Sequence, residues 1–314
     1  LTPPTAPARP MIRAAGLSKR YGRRPAVVDL AFSVEAGQVC ALLGPNGAGK
    51  TSTMRMLVGL STPDTGTAEL LGDKVALGAP ALHRAGVLID GPAFVPHLSG
   101  LRNLRLLWSA AGHHWPPPAL DDALDLAGLG PAIDRRAKSY SMGMKQRLML
   151  AQALMRDPDV LILDEPANGL DPAEVRALRE HLTTRAAGGA AVLVSSHQLA
   201  EVQQLATHVV VMNHGHLVDA GPLDRLTGAA DDAYRIEVDD TAGAANALRP
   251  LTGVTTVTAH DDAITVTAPG VPSRDLVQAL VTAGVGVTSV NRADRSLEDA
   301  FLTMTRGDDD HAAR

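Results

Sequence analysis

The sequence predicts an α/β fold, a mostly parallel sheet with helices on both faces and a helical insert, followed by a smaller α+β domain. Three observations carry this. Continuous apolar runs at residues 38–43, 160–163, 191–195 and 209–212 have the pattern of strands buried on both faces. Helical spacing at 172–186 and 199–206 separates three of them, and alternating strand and helix implies a parallel sheet. Past residue 228 the period falls to two. Strands at 234–238, 254–258, 263–267 and 285–290 then interleave with helices at 242–248 and 273–283, a β-α-β-β-α-β order of the ferredoxin-like kind.

In chain order, residues 1–10 (LTPPTAPARP) read as a proline-rich, disordered tail without the apolar core of a signal peptide. Strands at 11–15 and 27–34 flank a turn at 21–25. The run at 38–43 leads directly into GPNGAGKT. From Lys50 the spacing is helical, with Met54, Leu57 and Val58 on one face, and the helix stops near Gly59. A strand pattern at 86–89 opens an insert of about residues 90–157, where 121–128 and 144–155 read as helices and Pro116 to Pro118 break two helical tracts. The domain limits are therefore 11–228 and 229–306. Within the second domain the helix at 242–248 is weakened by Gly243. A last helix starts at Ser296, which can cap it with Asp299 three residues on. Residues 307–314 form an acidic tail.

Composition excludes several classes of function. The 314 residues are 45% hydrophobic and 20% charged, so the chain folds around a real core. Aromatic residues make up 3%, too few for a stacking platform for single-stranded nucleic acid. The one cysteine, Cys40, precludes an intrachain disulfide framework or a cysteine-rich zinc site and fits a reducing, cytoplasmic setting. Residues 231–314 carry seven basic and fourteen acidic groups, against 22 and 20 before them. Neither part has the basic excess that binds phosphate backbones or anionic lipid by charge alone, so no nucleic-acid partner is expected. No uncharged window is long enough to span a bilayer as a helix. A membrane role would have to come through a partner.

GPNGAGKT matches GxxxxGK[ST] between a predicted strand and a predicted helix. Gly44, Gly47 and Gly49 let the backbone turn its N–H groups onto a phosphate, where the helix N-terminus adds positive potential. Lys50 reaches the β- and γ-phosphates, and Thr51 offers a hydroxyl to Mg²⁺. Pro45, Asn46, Ala48 and the following Ser52 complete the nucleotide-binding set. The run at 160–163 delivers Asp164 and Glu165 to one sheet edge, Asp164 to hold Mg²⁺ and Glu165 to polarise the attacking water. His197 follows the next strand at the same edge and can sense a γ-phosphate. Two clusters, His113 with His114, and His208 with His214 and His216 around a hairpin turn, lack carboxylate or cysteine support and read as solvated. Cys40 reads as a small core residue.

GPNGAGKT, SYSMGMKQRLMLAQAL, VLILDEP, NGLDP and SSHQLAEV occur in this order. With them the chain resembles the ATP-binding subunits of ABC transporters over residues 11–226. It is most similar to exporters of the bacitracin and lantibiotic-immunity type, whose subunits also carry a small C-terminal domain. The resemblance implies an ABC-type ATPase core with a helical subdomain. It also implies a head-to-tail dimer, most simply a homodimer, that closes on two ATP molecules and drives a separate permease, to which the chain is peripheral on the inner membrane face. Residues 140–144 then occupy the signature loop, where Ser141 and Gly143 keep the usual pattern and Tyr140, Met142 and Met144 depart from it. Asp171 would communicate across the dimer, and Tyr21 would stack on adenine. The family places a glutamine where this chain has Asp90. Asp90 would be a third carboxylate near Asp164 and Glu165, tightening the coupling of Mg²⁺ to nucleotide. The leading function is thus the ATP-hydrolysing subunit of an exporter of a drug, antibiotic or similar amphipathic compound. A soluble ABC ATPase on ribosomes or DNA is the alternative, disfavoured by the single cassette and the acidic C-terminal part. A regulatory nucleotide-binding module is disfavoured by the intact Glu165 and His197.

Overall fold

The computed structural model describes residues 10–227, 229–260, 262–294 and 297–306. They fall into two units, divided between Pro222 and Leu223.

In the first unit, β1 (Ile12–Tyr21) and β2 (Arg24–Val34) form a long antiparallel hairpin. Next come β3 (Val39–Leu43), α1 (Lys50–Leu57), β4 (Thr65–Leu70), β5 (Asp73–Lys74) and β6 (Ala85–Leu88). The insert holds α2 (Gly100–Ala110), α3 (Leu120–Ala127) and α4 (Met142–Leu154). The chain returns through β7 (Val160–Leu163), α5 (Pro172–Ala187), β8 (Ala191–Ser195), α6 (Leu199–Leu205), β9 (His208–Asn213) and β10 (His216–Pro222). Strands β10, β9, β3, β8, β7 and β6 lie side by side in that order, and all neighbours are parallel except β10 with β9. Every residue of β3, β7 and β8 is buried, as their continuous apolar runs require. A second sheet, β2-β1-β4-β5, is antiparallel. Residues of both sheets and of α1 share one core, where Leu30, Leu42, Met54, Leu70 and Ile162 are fully buried.

Cys40 is buried in β3, opposite Leu193 and His208, and desolvation pushes its thiol up to about 12. Helix α4 starts two residues earlier than its apolar pattern predicts, because Ser141 accepts a hydrogen bond from the Met144 amide and caps it. His113 is a correction to its solvated reading. The proline-rich loop folds back, Trp108 Nε1 donates to the His114 carbonyl, and the His113 ring sits 4.5 Å from Trp108 and 3.1 Å from Arg156 Nη1. The predicted hairpin turn at His214 is the β9-β10 connection.

The second unit contains α7 (Leu223–Thr227), β11 (Ala229–Val238), α8 (Thr241–Leu248), β12 (Thr256–Ala259), β13 (Ala263–Thr267), α9 (Ser273–Thr282), β14 (Val287–Asp294) and α10 (Leu297–Arg306). Its antiparallel sheet has the order β12-β13-β11-β14, which is the strand order of the ferredoxin-like arrangement. Ile236, Ile264 and Val266 of the sheet pack with Leu248 of α8 and Leu276 and Leu280 of α9. Gly243 is accommodated because the Asp240 carboxylate accepts its N–H and caps α8. The proposed Ser296 cap, residues 1–9 of the N-terminal tail and the acidic tail at 307–314 lie outside the described residues.

Candidate functional site

Strand β3 ends at Leu43, and the chain wraps through Gly44 to Gly49 before α1 begins at Lys50. Gly49 has φ of +104°, and a Cβ there would lie 2.3 Å from the Ala26 carbonyl oxygen, so no other residue fits. No side chain caps α1. Its first N–H groups are therefore open to an anion. Lys50 is only 9% exposed, and its ammonium donates to the carbonyls of Gly44 (2.7 Å) and Pro45 (3.3 Å). Burial lowers its pKa, and the charges of Glu165 and Asp164 oppose that shift.

The two carboxylates leave the end of β7 together and are held differently. Asp164 Oδ2 accepts from Thr51 Oγ1 at 2.7 Å, and its Oδ1 accepts a short hydrogen bond from Ser195 Oγ. Glu165 has a left-handed backbone, φ +49°, and its N–H donates to Ser195 Oγ at 2.9 Å. His197 Nδ1 lies 2.7 Å from Glu165 Oε2. An ionised carboxylate can only accept, so Nδ1 carries the proton. A cavity of about 540 Å³ is lined by Tyr21, Arg24 to Ala26, Asn46 to Ser52, Asp164 and Glu165.

The donor set fits Mg²⁺. This small, hard cation takes one or two carboxylates with hydroxyl, water and phosphate oxygens rather than an all-protein cage. Thr51 and Asp164 already converge two hard oxygens beside Lys50, and they are the residues that would hold it.

Tyr21, 47% exposed, stands at the cavity wall where a base could stack, and its hydroxyl is made more acidic chiefly by a hydrogen bond with Ser61. Asp90 is engaged by Arg55. It forms a two-pronged ion pair with Arg55 of α1, through Nε at 3.1 Å and a shorter Nη2 contact, and is not among the described residues of the cavity wall. The guanidinium offered one α-helical turn past Thr51 balances its charge. Ser141, Gly143 and Asp171 gather at a second place. A Cβ on Gly143 would lie 2.5 Å from the Gly169 carbonyl oxygen, so the signature loop and the NGLD loop touch backbone to backbone. Asp171 caps α5, accepting from the amides of Ala173 and Glu174. Tyr140 is buried, and its hydroxyl donates to the Ala132 carbonyl at 2.7 Å, anchoring the loop rather than extending it.

Sequence reasoning missed four residues that shape this region. Gln146 Nε2 donates to the carbonyls of Glu165 (3.2 Å) and Pro166 (3.3 Å), tying α4 to the carboxylate turn. Arg147 donates to Glu174 at 2.6 Å, tying α4 to α5. Arg55 and Ser195 are the partners of Asp90 and of the carboxylates. All four act across at least 19 residues, which no local pattern reports.

The ABC transporter family model matches residues 27–168. The chain is 35% identical to the uncharacterized ABC transporter ATP-binding protein YhcH of Bacillus subtilis, over 92% of this chain and 94% of that one. It is 32% identical to the bacitracin transport ATP-binding protein BcrA of Bacillus licheniformis, over 95% and 98%. It is 33% identical to the daunorubicin/doxorubicin resistance ATP-binding protein DrrA of Streptomyces peucetius, over 94% and 92%. Among solved structures, an ATP-binding subunit of an ABC transporter aligns with a TM-score of 0.61 at 29% identity, covering 69% of this chain and 91% of its own.

Proposed function

The chain belongs to the ATP-binding proteins of the ABC transporter family, and from that premise we propose that it hydrolyses ATP to power an exporter whose membrane path is a separate polypeptide. One observation carries the catalytic part: Glu165, oriented by His197, stands on the wall of the same cavity that the phosphate loop forms.

The phosphate-loop amides and Lys50 bind the β- and γ-phosphates and spread the charge that grows on them in the transition state. Tyr21 stacks on the base. Thr51 and Asp164 would hold Mg²⁺, which when bound neutralises phosphate charge. Glu165 takes a proton from the attacking water as its oxygen bonds to the γ-phosphorus and the bond to the bridging oxygen of ADP breaks. His197 fixes Oε2 and leaves Oε1 for that proton. Ser141 and Gly143, with Asp171 behind them, complete the site of a second copy, so ATP closes a dimer and hydrolysis reopens it.

No helix of the described residues is long and apolar enough to cross a membrane. Drug, antibiotic or a similar amphipathic compound is the cargo class, supported by relatives named for bacitracin transport and daunorubicin/doxorubicin resistance. The chain then sits at the inner face of the membrane through its permease.

Replacing Glu165 by Gln tests the reading. Hydrolysis should fall on the order of 100-fold or more while ATP still binds, and the variant should accumulate as a dimer. A variant that stays monomeric at saturating ATP contradicts the dimer; one that hydrolyses at the wild-type rate contradicts the role of Glu165.

A further inference from the structure

Ser195 closes β8 with its side chain fully buried, and its single hydroxyl meets both carboxylate residues. It donates its one proton to Asp164 Oδ1 and accepts the Glu165 N–H at 2.9 Å. These two bonds require each other. With the proton committed to the carboxylate, a lone pair faces the amide. The oxygens of Asp164 are thereby divided, Oδ1 to Ser195 and Oδ2 to Thr51. The plane of that carboxylate is set from two sides. The Glu165 backbone is also held on both sides, by Ser195 at its nitrogen and by Gln146 at its carbonyl. That backbone needs holding, since φ of +49° is a conformation that a glutamate rarely adopts.

We propose that Ser195 is a positioning residue that sets the orientation of both the Mg²⁺-binding and the water-activating carboxylate through one buried hydroxyl. The inference rests on the ATPase reading of the site. Without the hydroxyl, Asp164 Oδ1 loses its donor and the Glu165 amide its acceptor, in a place where water does not replace them. Both carboxylates then rotate more freely, and the site is loosened toward metal and toward water while the phosphate loop is untouched.

The experiment compares the full-length wild type with Ser195→Ala, Ser195→Cys and Ser195→Thr, each checked for folding by thermal melting. Two readouts are taken: binding of a fluorescent ATP analogue as Mg²⁺ is titrated, and kcat with KM for ATP. In Ser195→Ala and Ser195→Cys the Mg²⁺ needed for half-maximal binding should rise, and kcat should fall, each roughly tenfold or more, with binding in the absence of Mg²⁺ unchanged. Ser195→Thr, which keeps the hydroxyl, should restore both. If Ser195→Ala does not fold, the near-isosteric Ser195→Cys carries the test. Folded variants with the wild-type Mg²⁺ curve and kcat would overturn the proposal, as would a Ser195→Thr as impaired as Ser195→Ala, which would mean that only packing matters. A wild type that binds no ATP or does not hydrolyse it would instead overturn the ATPase reading.

Discussion

The N-terminus of α1 carries the phosphate loop and the N-terminus of α4 the signature loop, yet they are finished to different degrees. At α1 the helix is left uncapped, the loop before it wraps inward, and a buried lysine supplies a fixed charge. At α4 Ser141 caps the helix with its own side chain, the following Met142 is 71% exposed, and no lysine is buried. The first end is complete within one chain. The second offers a hydroxyl, a helix dipole and a small backbone patch at Gly143, which is what a surface needs when the ligand arrives already bound to another copy. Under the proposed function, the grip on a nucleotide and the closure of a second copy onto it are built on separate helices of the same chain.

The largest effect that would break this comparison is at the complete end. Lys50→Ala removes a charged donor to the phosphates and should weaken ATP binding by about 3 kcal/mol, roughly a hundredfold, measured by nucleotide titration. Near-wild-type affinity would mean that α1 is not the primary grip. The intermediate effect is at the open end. Ser141→Ala should leave ATP affinity of the isolated chain unchanged while kcat falls roughly tenfold or more, with about 1 kcal/mol lost from stability because the cap goes too. A matching loss of affinity would place Ser141 on its own chain's nucleotide. The smallest effect is expected between the two. Asp90→Gln breaks an ion pair whose partners are both more than a third exposed, so it should cost about 0–1 kcal/mol in melting experiments. With Asp90 held by Arg55, the Mg²⁺ dependence of ATP binding should match the wild type. A shifted curve would bring Asp90 back to the metal, as the glutamine position of the family implied.

What the sequence made legible follows from how local each signal is. The strands β3, β7 and β8 were readable because burial on both faces leaves an unbroken apolar run, and the phosphate loop because all its requirements lie within eight neighbouring residues. Strand β4, TGTAEL, is half exposed and rich in Thr and Gly, so it has no such run, and the two residues of β5 have no period at all. Ser195 was hidden for a different reason. A serine at the end of Val-Leu-Val-Ser reads as the end of a strand, and its partner carboxylate is 31 residues away in sequence. Asp90 shows the converse. Its position in a motif suggested a neighbour, and the actual neighbour, Arg55, is decided by which helix turn passes beside it.

The buried Cys40 has a consequence for how the molecule ages. Its thiol is neutral at physiological pH and packed in the core shared by both sheets and α1, so oxidants and electrophiles find nothing to attack while that core is closed. Chemical damage at this one thiol therefore requires the core to open around β3, the strand that leads into the phosphate loop. Thiol labelling of Cys40 should therefore rise together with loss of nucleotide binding, which labelling run beside nucleotide titration checks.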